Sequence, residues 1–230
     1  MNKTASPALT VDEIEKIETW IFDLDNTLYP ASSRLFDQVD RNITLFIMKN
    51  FDLEWDDAYR MQKSFFREHG TTMCGLMTEY GTAPADFLAF VHDIDLSPIS
   101  PNPALTSALE RLPGRKVIFT NGSTDHAENI TRHMEVDHHF DGIFDIIDSG
   151  FTPKPAPEVY DKMTEHLKID PKTAIMVEDM ARNLVPAAAM GMTTVWVRTD
   201  TQWAIEGSEG DHIDHIVDDL ADWLDGLTAR

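Results

Sequence analysis

A doubly wound α/β fold, with a small all-helical insert after its first strand, is the fold class this sequence predicts. Three observations predict it. Short apolar runs each stop at a polar turn, as in Trp20-Ile21-Phe22-Asp23-Leu24-Asp25, Lys116-Val117-Ile118-Phe119-Thr120 and Ala174-Ile175-Met176-Val177-Glu178-Asp179. That is the mark of strands buried on both faces. Helical stretches alternate with these runs, which argues a parallel sheet with right-handed crossovers. Residues 33–96 carry helical periodicity and no strand pattern. The expected division is an α/β core over 1–30 and 100–230, and a helical cap over 31–99.

Each element has its own signal. A polar, mobile tail is expected to about residue 18, with one or two helical turns within Thr10–Ile17. The first strand covers Thr19–Leu24, and Tyr29-Pro30-Ala31-Ser32-Ser33 turns the chain. Leu35, Val39, Ile43, Phe46 and Ile47 recur at spacings of three and four and predict the first cap helix. Asp56–Glu68, Met73–Glu79 and Pro84–Asp93 predict three more, and Pro98, Pro101 and Pro103 mark the return. Helices over Ala104–Leu112, Asp125–Met134, Pro157–Leu167 and Asn183–Met190 then alternate with strands over Lys116–Thr120, Phe144–Asp148, Ala174–Val177 and Thr193–Val197. Pro157 suits a first helical turn and Gly191 a helix end. An edge strand over Ile213–Val217 precedes a helix through Leu224.

The 230 residues suffice for one large domain, or a core plus an insert. A formal net charge of -21 argues against nucleic-acid polymers and anionic membrane surfaces as partners. A small anionic ligand stays open, since a metal ion and a lysine can reverse the field inside one pocket. Cys74 is the single cysteine, so no intrachain disulfide forms, and a small buried hydrophobe is its expected role. Met1–Thr10 has no apolar leader pattern and no run approaches a membrane span. A soluble, cytoplasmic protein is expected.

Four polar clusters follow strands or open the next helix: Asp23/Asp25, Thr120-Asn121-Gly122, Lys154 and Glu178-Asp179. In a parallel sheet these positions converge on one edge. Two carboxylates about 4 Å apart repel by roughly 4 kcal/mol at an effective dielectric of 20. A metal ion, a shared proton or a bound cationic group is therefore implied. An aspartate is ionised at neutral pH and can attack phosphorus, while a second carboxylate two residues on can shuttle the proton. Mg²⁺ suits an all-oxygen site that also touches phosphate. Adjacent strand residues point oppositely, so metal ligation and structural pairing both stay open for Glu178. Asn183 is expected to cap a helix. For His92 a structural place in the cap is favoured over a substrate-facing one; His138-His139, His212 and His215 are expected to be exposed loop histidines, and Asp211–Asp225 a solvated helix face.

Taken together, Asp23-Leu24-Asp25-Asn26-Thr27, Thr120-Asn121-Gly122, Lys154 and Glu178-Asp179 resemble, in order, the four motifs of the haloacid dehalogenase superfamily. The resemblance covers nearly the whole chain and implies a Rossmann-like core. It implies a Mg²⁺-dependent phosphomonoesterase with Asp23 as nucleophile, Asp25 as acid/base and Thr27 supporting the pair on the substrate side. It implies phosphate contacts from Thr120, Asn121, Gly122 and Lys154. The metal would be held by Asp23, the main-chain carbonyl of Asp25, Asp179 and Glu178. Leu28-Tyr29-Pro30, the cap stretch His69-Gly70-Thr71-Thr72-Met73-Cys74-Gly75-Leu76, Phe90–Asp95 and Leu112–Lys116 look like the pyrimidine 5′-nucleotidase branch. That implies UMP or CMP as substrate, with His69, Thr71 and Thr72 facing it. Rival readings are a phosphatase of phosphoglycolate or a sugar phosphate, a phosphomutase, a dehalogenase and a non-catalytic binding module.

Overall fold

In the computed structural model, which describes residues 9–228, the apolar runs form six strands: β1 (Thr19–Phe22), β2 (Arg115–Phe119), β3 (Gly142–Phe144), β4 (Ala174–Glu178), β5 (Thr193–Val197) and β6 (His215–Val217). All neighbours pair parallel, in the order β3-β2-β1-β4-β5-β6. β1 is central, with Thr19 in register with Arg115 on one side and Ala174 on the other. The chain winds outward from β1 to β3, then crosses to β4 on β1's far side. That reversal opens a crevice at the carboxyl ends of β1 and β4, the place where such sheets bind ligands.

Side chains alternate across the sheet, as the strand period of two requires. Trp20 and Phe22 enter the core beneath α6 (Pro103–Arg111), α7 (Thr124–His133) and α11 (Leu220–Thr228). Ile21 enters the opposite core, beneath α8 (Pro157–Leu167) and α9 (Leu184–Met190). Over the carboxyl edge lie α2 (Phe36–Phe51), α3 (Trp55–His69), α4 (Thr72–Tyr80) and α5 (Pro84–Val91). They share their own apolar cluster, in which Phe46 meets Phe87 and Phe90 edge-on. These are the four helices expected of the insert.

Several expectations are corrected. Part of the predicted tail, residues 1–8, lies outside the described residues. From Leu9 onward the lead-in is packed rather than mobile: α1 (Val11–Ile14) opens with a capping box from Thr10 and Glu13, and Leu9, Ile14 and Ile17 are buried. The third strand is Gly142–Phe144, not Phe144–Asp148, because the Asp145 carboxylate accepts from the Ile147 and Asp148 N–H groups and folds that stretch into a turn. The last strand starts at His215 rather than Ile213, since the Asp214 carboxylate reaches across to the Thr194 N–H. Asp211–Asp225 is accordingly strand and turn before it is helix, with Ile213, Val217, Leu220, Ala221 and Leu224 buried. A further turn of helix, α10 (Gln202–Ile205), had no sequence signal. Among the described residues no helix is long and apolar enough to cross a membrane.

Candidate active site

The ladder carries one residue past β1, where the Asp23 N–H donates to Val177 O at 2.9 Å. This fixes the Asp23 carboxylate at the sheet edge. Lys154 arrives from the loop before α8, and its Nζ donates to Asp23 Oδ1 at 2.7 Å, Glu178 Oε2 at 2.7 Å and Phe119 O at 2.8 Å. Asn121 holds that lysine's backbone, its Oδ1 accepting from the Lys154 N–H at 2.9 Å. Glu178 and Asp179 both reach the cluster, although neighbours on a strand diverge. β4 stops at Glu178, and Trp196 Nε1 holds the Asp179 carbonyl in the turn that follows. Carboxylate oxygens of Asp23, Glu178 and Asp179 all lie within 4.8 Å of one another.

Burial dominates the electrostatics. It raises the Asp23 carboxyl, and Glu178 adds to the shift against the pull of Lys154, so the group is pushed up to about 7. Burial also raises Asp179 well above the usual carboxylate range, reinforced by Glu178 and Asp23. For Lys154 burial works against the charge, but Asp23 and Glu178 prevail and hold it charged. One ammonium therefore faces three buried carboxylates. The oxygen-only donor set and its negative excess fit a hard divalent cation. So does Asn183, whose Oδ1 is buried and unpartnered in the same cavity wall. It stands at the N-cap position of α9, as expected, but its backbone is already helical and its side chain makes no capping bond.

Asp25 lies beyond the strand, in a turn that Asn26 makes possible by taking a left-handed φ of 62°. Tyr29 Oη donates to Asp25 Oδ1 at 2.7 Å, and His126 Nε2 stands 3.0 Å from the same oxygen. Burial would raise Asp25, yet His126 and Tyr29 bring it below its ordinary value. His126 opens α7 and stacks on His92 with ring centroids 4.0 Å apart. Sequence reasoning missed His126 and Tyr29. The available signal was position, because both lie within five residues of a motif at the converging edge.

The cavity above holds about 190 Å³ and is lined by Asp23, Asp25, Thr120, Asn121, Gly122, Lys154, Glu178 and Asp179. All four motif clusters thus meet in one place. Thr120 Oγ1 accepts from the Gly122 N–H at 2.9 Å, tightening the turn after β2. Thr27 is buried behind the motif outside this lining, with its hydroxyl unpartnered. The roof is largely apolar, with Phe36, Phe66, Phe87, Leu88 and Val91, and includes the polar group of Asp40, Gln62 and Lys63. Thr71 and Thr72 belong to the lining. Thr71 also caps α4, and Thr72 donates to Gln62 O. His69 is not in the lining: it packs edge-on against Phe65 and lies 3.8 Å from Glu79. Two cation–π contacts tie roof to floor, Lys63 with Trp203 at 5.0 Å and Arg182 with Phe66 at 4.8 Å. Cys74 is half-buried, donates to Phe151 O and has its thiol raised by burial, as suits a packing residue. Among the described residues, no histidine joins a potential metal cluster.

The model of haloacid dehalogenase-like hydrolases matches residues 17–191. The chain belongs to that family. Among curated relatives, it is 25% identical over 214 residues to Phosphate metabolism protein 8 of Saccharomyces cerevisiae, covering 84% of this chain and 65% of the yeast protein. It is 25% identical over 214 residues to the glyceraldehyde 3-phosphate phosphatase of Methanopyrus kandleri, covering 86% and 91% respectively. This chain thus spans a little under two thirds of the yeast relative. In fold, it resembles CbbY from Rhodobacter sphaeroides in complex with phosphate (TM-score 0.64, 18% identity, 90% of this chain and 96% of that one). It also resembles the L-2-haloacid dehalogenase of Xanthobacter autotrophicus (TM-score 0.56, 16% identity, 90% and 97%).

Proposed function

We propose that this haloacid dehalogenase-like hydrolase is a Mg²⁺-dependent phosphomonoesterase acting through an aspartyl-phosphate on Asp23. The observation that carries the reading is the buried set of Asp23, Glu178 and Asp179 around the Lys154 ammonium, at the floor of a roofed cavity. Asp23 is the nucleophile. Its oxygen forms the bond to phosphorus as the ester oxygen leaves. The Lys154 ammonium, its three hydrogens given to Asp23, Glu178 and Phe119 O, offsets charge on the phosphoryl oxygens, and the Thr120 hydroxyl, which keeps its hydrogen while accepting from Gly122, donates to them. Magnesium held by Asp23, the main-chain carbonyl of Asp25, Asp179 and Glu178 would add positive charge against those oxygens. Asp25 passes a proton to the leaving oxygen and later takes one from the attacking water. That first proton enters with the phosphate monoester, whose second pKa is about 6. Thr27 backs the motif turn from behind.

The leaving group is read from the roof. Phe36, Phe66 and Phe87 put aromatic rings in the lining, with Thr71 and Thr72 beside them. That suits a pyrimidine base, and we take UMP and CMP as the substrates. The second reading is a small sugar phosphate, favoured by the Methanopyrus kandleri phosphatase, which this chain covers almost end to end. A dehalogenase is disfavoured, because a departing halide has no use for the doubly held Asp25. Turnover of a phosphometabolite panel tests the choice. UMP and CMP should exceed purine nucleotides, phosphoglycolate and glyceraldehyde 3-phosphate in kcat/KM. A lead for either three-carbon or two-carbon phosphate would overturn the nucleotidase reading and leave the phosphatase core standing.

A further inference from the structure

Asp25 is gripped by one oxygen only. Tyr29 Oη and His126 Nε2 both address Oδ1, at 2.7 Å and 3.0 Å. No hydrogen bond among the described residues reaches Oδ2, and Asp25 lines the cavity. His126 is itself fixed. Its side chain is 2% exposed, it sits in the first turn of α7, and the His92 ring lies over it at an interplanar angle of 13°. A Cβ built on Gly122 would come within 3.2 Å of His126 Cδ2 and 3.7 Å of His92 Cε1, so glycine leaves the space the stacked rings need. His92 is anchored in turn by Ser123 Oγ, 3.0 Å from its Nδ1. His92 follows α5, so it belongs to the segment leaving the roof.

We propose that His126 is a positioning residue which, seated by His92, locks Asp25 so that Oδ2 alone exchanges the proton of the reaction. This rests on the phosphatase reading. In the first half-reaction the Asp23 oxygen–phosphorus bond forms and the ester bond breaks, and the proton on Asp25 Oδ2 goes to the leaving oxygen. In the second, water's oxygen bonds to phosphorus, the Asp23–phosphorus bond breaks, and water's proton goes to Oδ2. His126 touches neither substrate nor reacting atoms. Its imidazole donates from Nε2 to Oδ1 throughout and keeps the carboxylate from rotating.

The test is a series of aryl phosphates of graded leaving-group acidity, assayed by kcat/KM, which reports the first half-reaction. Poor leaving groups need the proton most. His126→Phe should lower kcat/KM about 10²-fold for phenyl phosphate and far less for p-nitrophenyl phosphate, steepening the dependence on leaving-group pKa. His126→Gln, which retains an N–H donor, should recover part of the loss. Tyr29→Phe and His92→Asn leave α7 intact and should steepen the dependence in the same direction. They carry the test if His126→Phe fails to fold. Equal losses across the series, with unchanged slope, would contradict the positioning role while sparing the phosphatase. A wild-type protein inert toward the whole series would contradict the phosphatase reading, and this inference with it.

Discussion

His92 shows how burial sets the behaviour of a single residue near this site. Burial and the facing His126 push its imidazole down to about 3 from an ordinary 6.5, against a partial opposing pull from Asp25. The folded protein therefore holds His92 neutral over a range in which the unfolded chain binds a proton there. Stability from this group is complete above the unfolded pKa and is lost as pH falls from 6.5 towards 3. Between about pH 7.5 and about pH 5 the loss should approach about 2 kcal/mol. Urea midpoints for wild type and His92→Gln should diverge with acid, wild type falling faster, and parallel curves would contradict this account. From the sequence a structural place is favoured for His92 over a substrate-facing one, and in the fold it lines the cavity. Its stacking partner lies 34 positions along the chain, and no local pattern announces a contact of that kind.

The roof depends on close helix packing. Gly75, on α4, faces α3 so closely that a Cβ there would fall 2.4 Å from Phe65 Cγ. Gly75→Ala should push α4 off α3 and destabilise the protein by about 1–3 kcal/mol, the usual cost of overpacking. Its effect should fall on KM more than kcat, because Thr71 and Thr72 move with α4 while the floor stays. A midpoint and KM matching wild type would mean the roof accommodates the methyl group freely. The roof helices were legible because a three-and-four spacing is an intrinsic property of each segment. Strand ends were less so. Asp145 ends its strand through a local turn onto the Ile147 and Asp148 N–H groups, and Asp214 delays β6 through a bond to another segment; apolar runs encode neither effect. α10 was missed for a related reason: its single turn leaves no period to read, yet it carries Trp203 into the cavity wall.

At the scale of the molecule, the sheet order does the assembling. Asp23 is far in sequence from the adjacent Glu178 and Asp179, and they meet because β1 and β4 are neighbours at the topological reversal. That convergence was foreseeable from apolar runs ending in polar clusters. Which oxygen of Asp25 is held, and by what, was not, since it depends on the fold bringing α7 against the first motif. The crowded carboxylates make folding and cation binding interdependent. Mg²⁺ should raise the melting temperature, by about 2.7 kcal/mol of added stability at a hundredfold excess over Kd. Asp179→Asn should remove most of that gain; an equal shift in both proteins would place the cation elsewhere. The most direct test of the central claim is to quench turnover of p-nitrophenyl phosphate with acid and map the covalent phosphate by peptide mass spectrometry. The account predicts a phosphoryl increment on the peptide containing Asp23, and neither increment nor turnover in Asp23→Asn. Undiminished hydrolysis by that variant, or an increment on a different peptide, would contradict it.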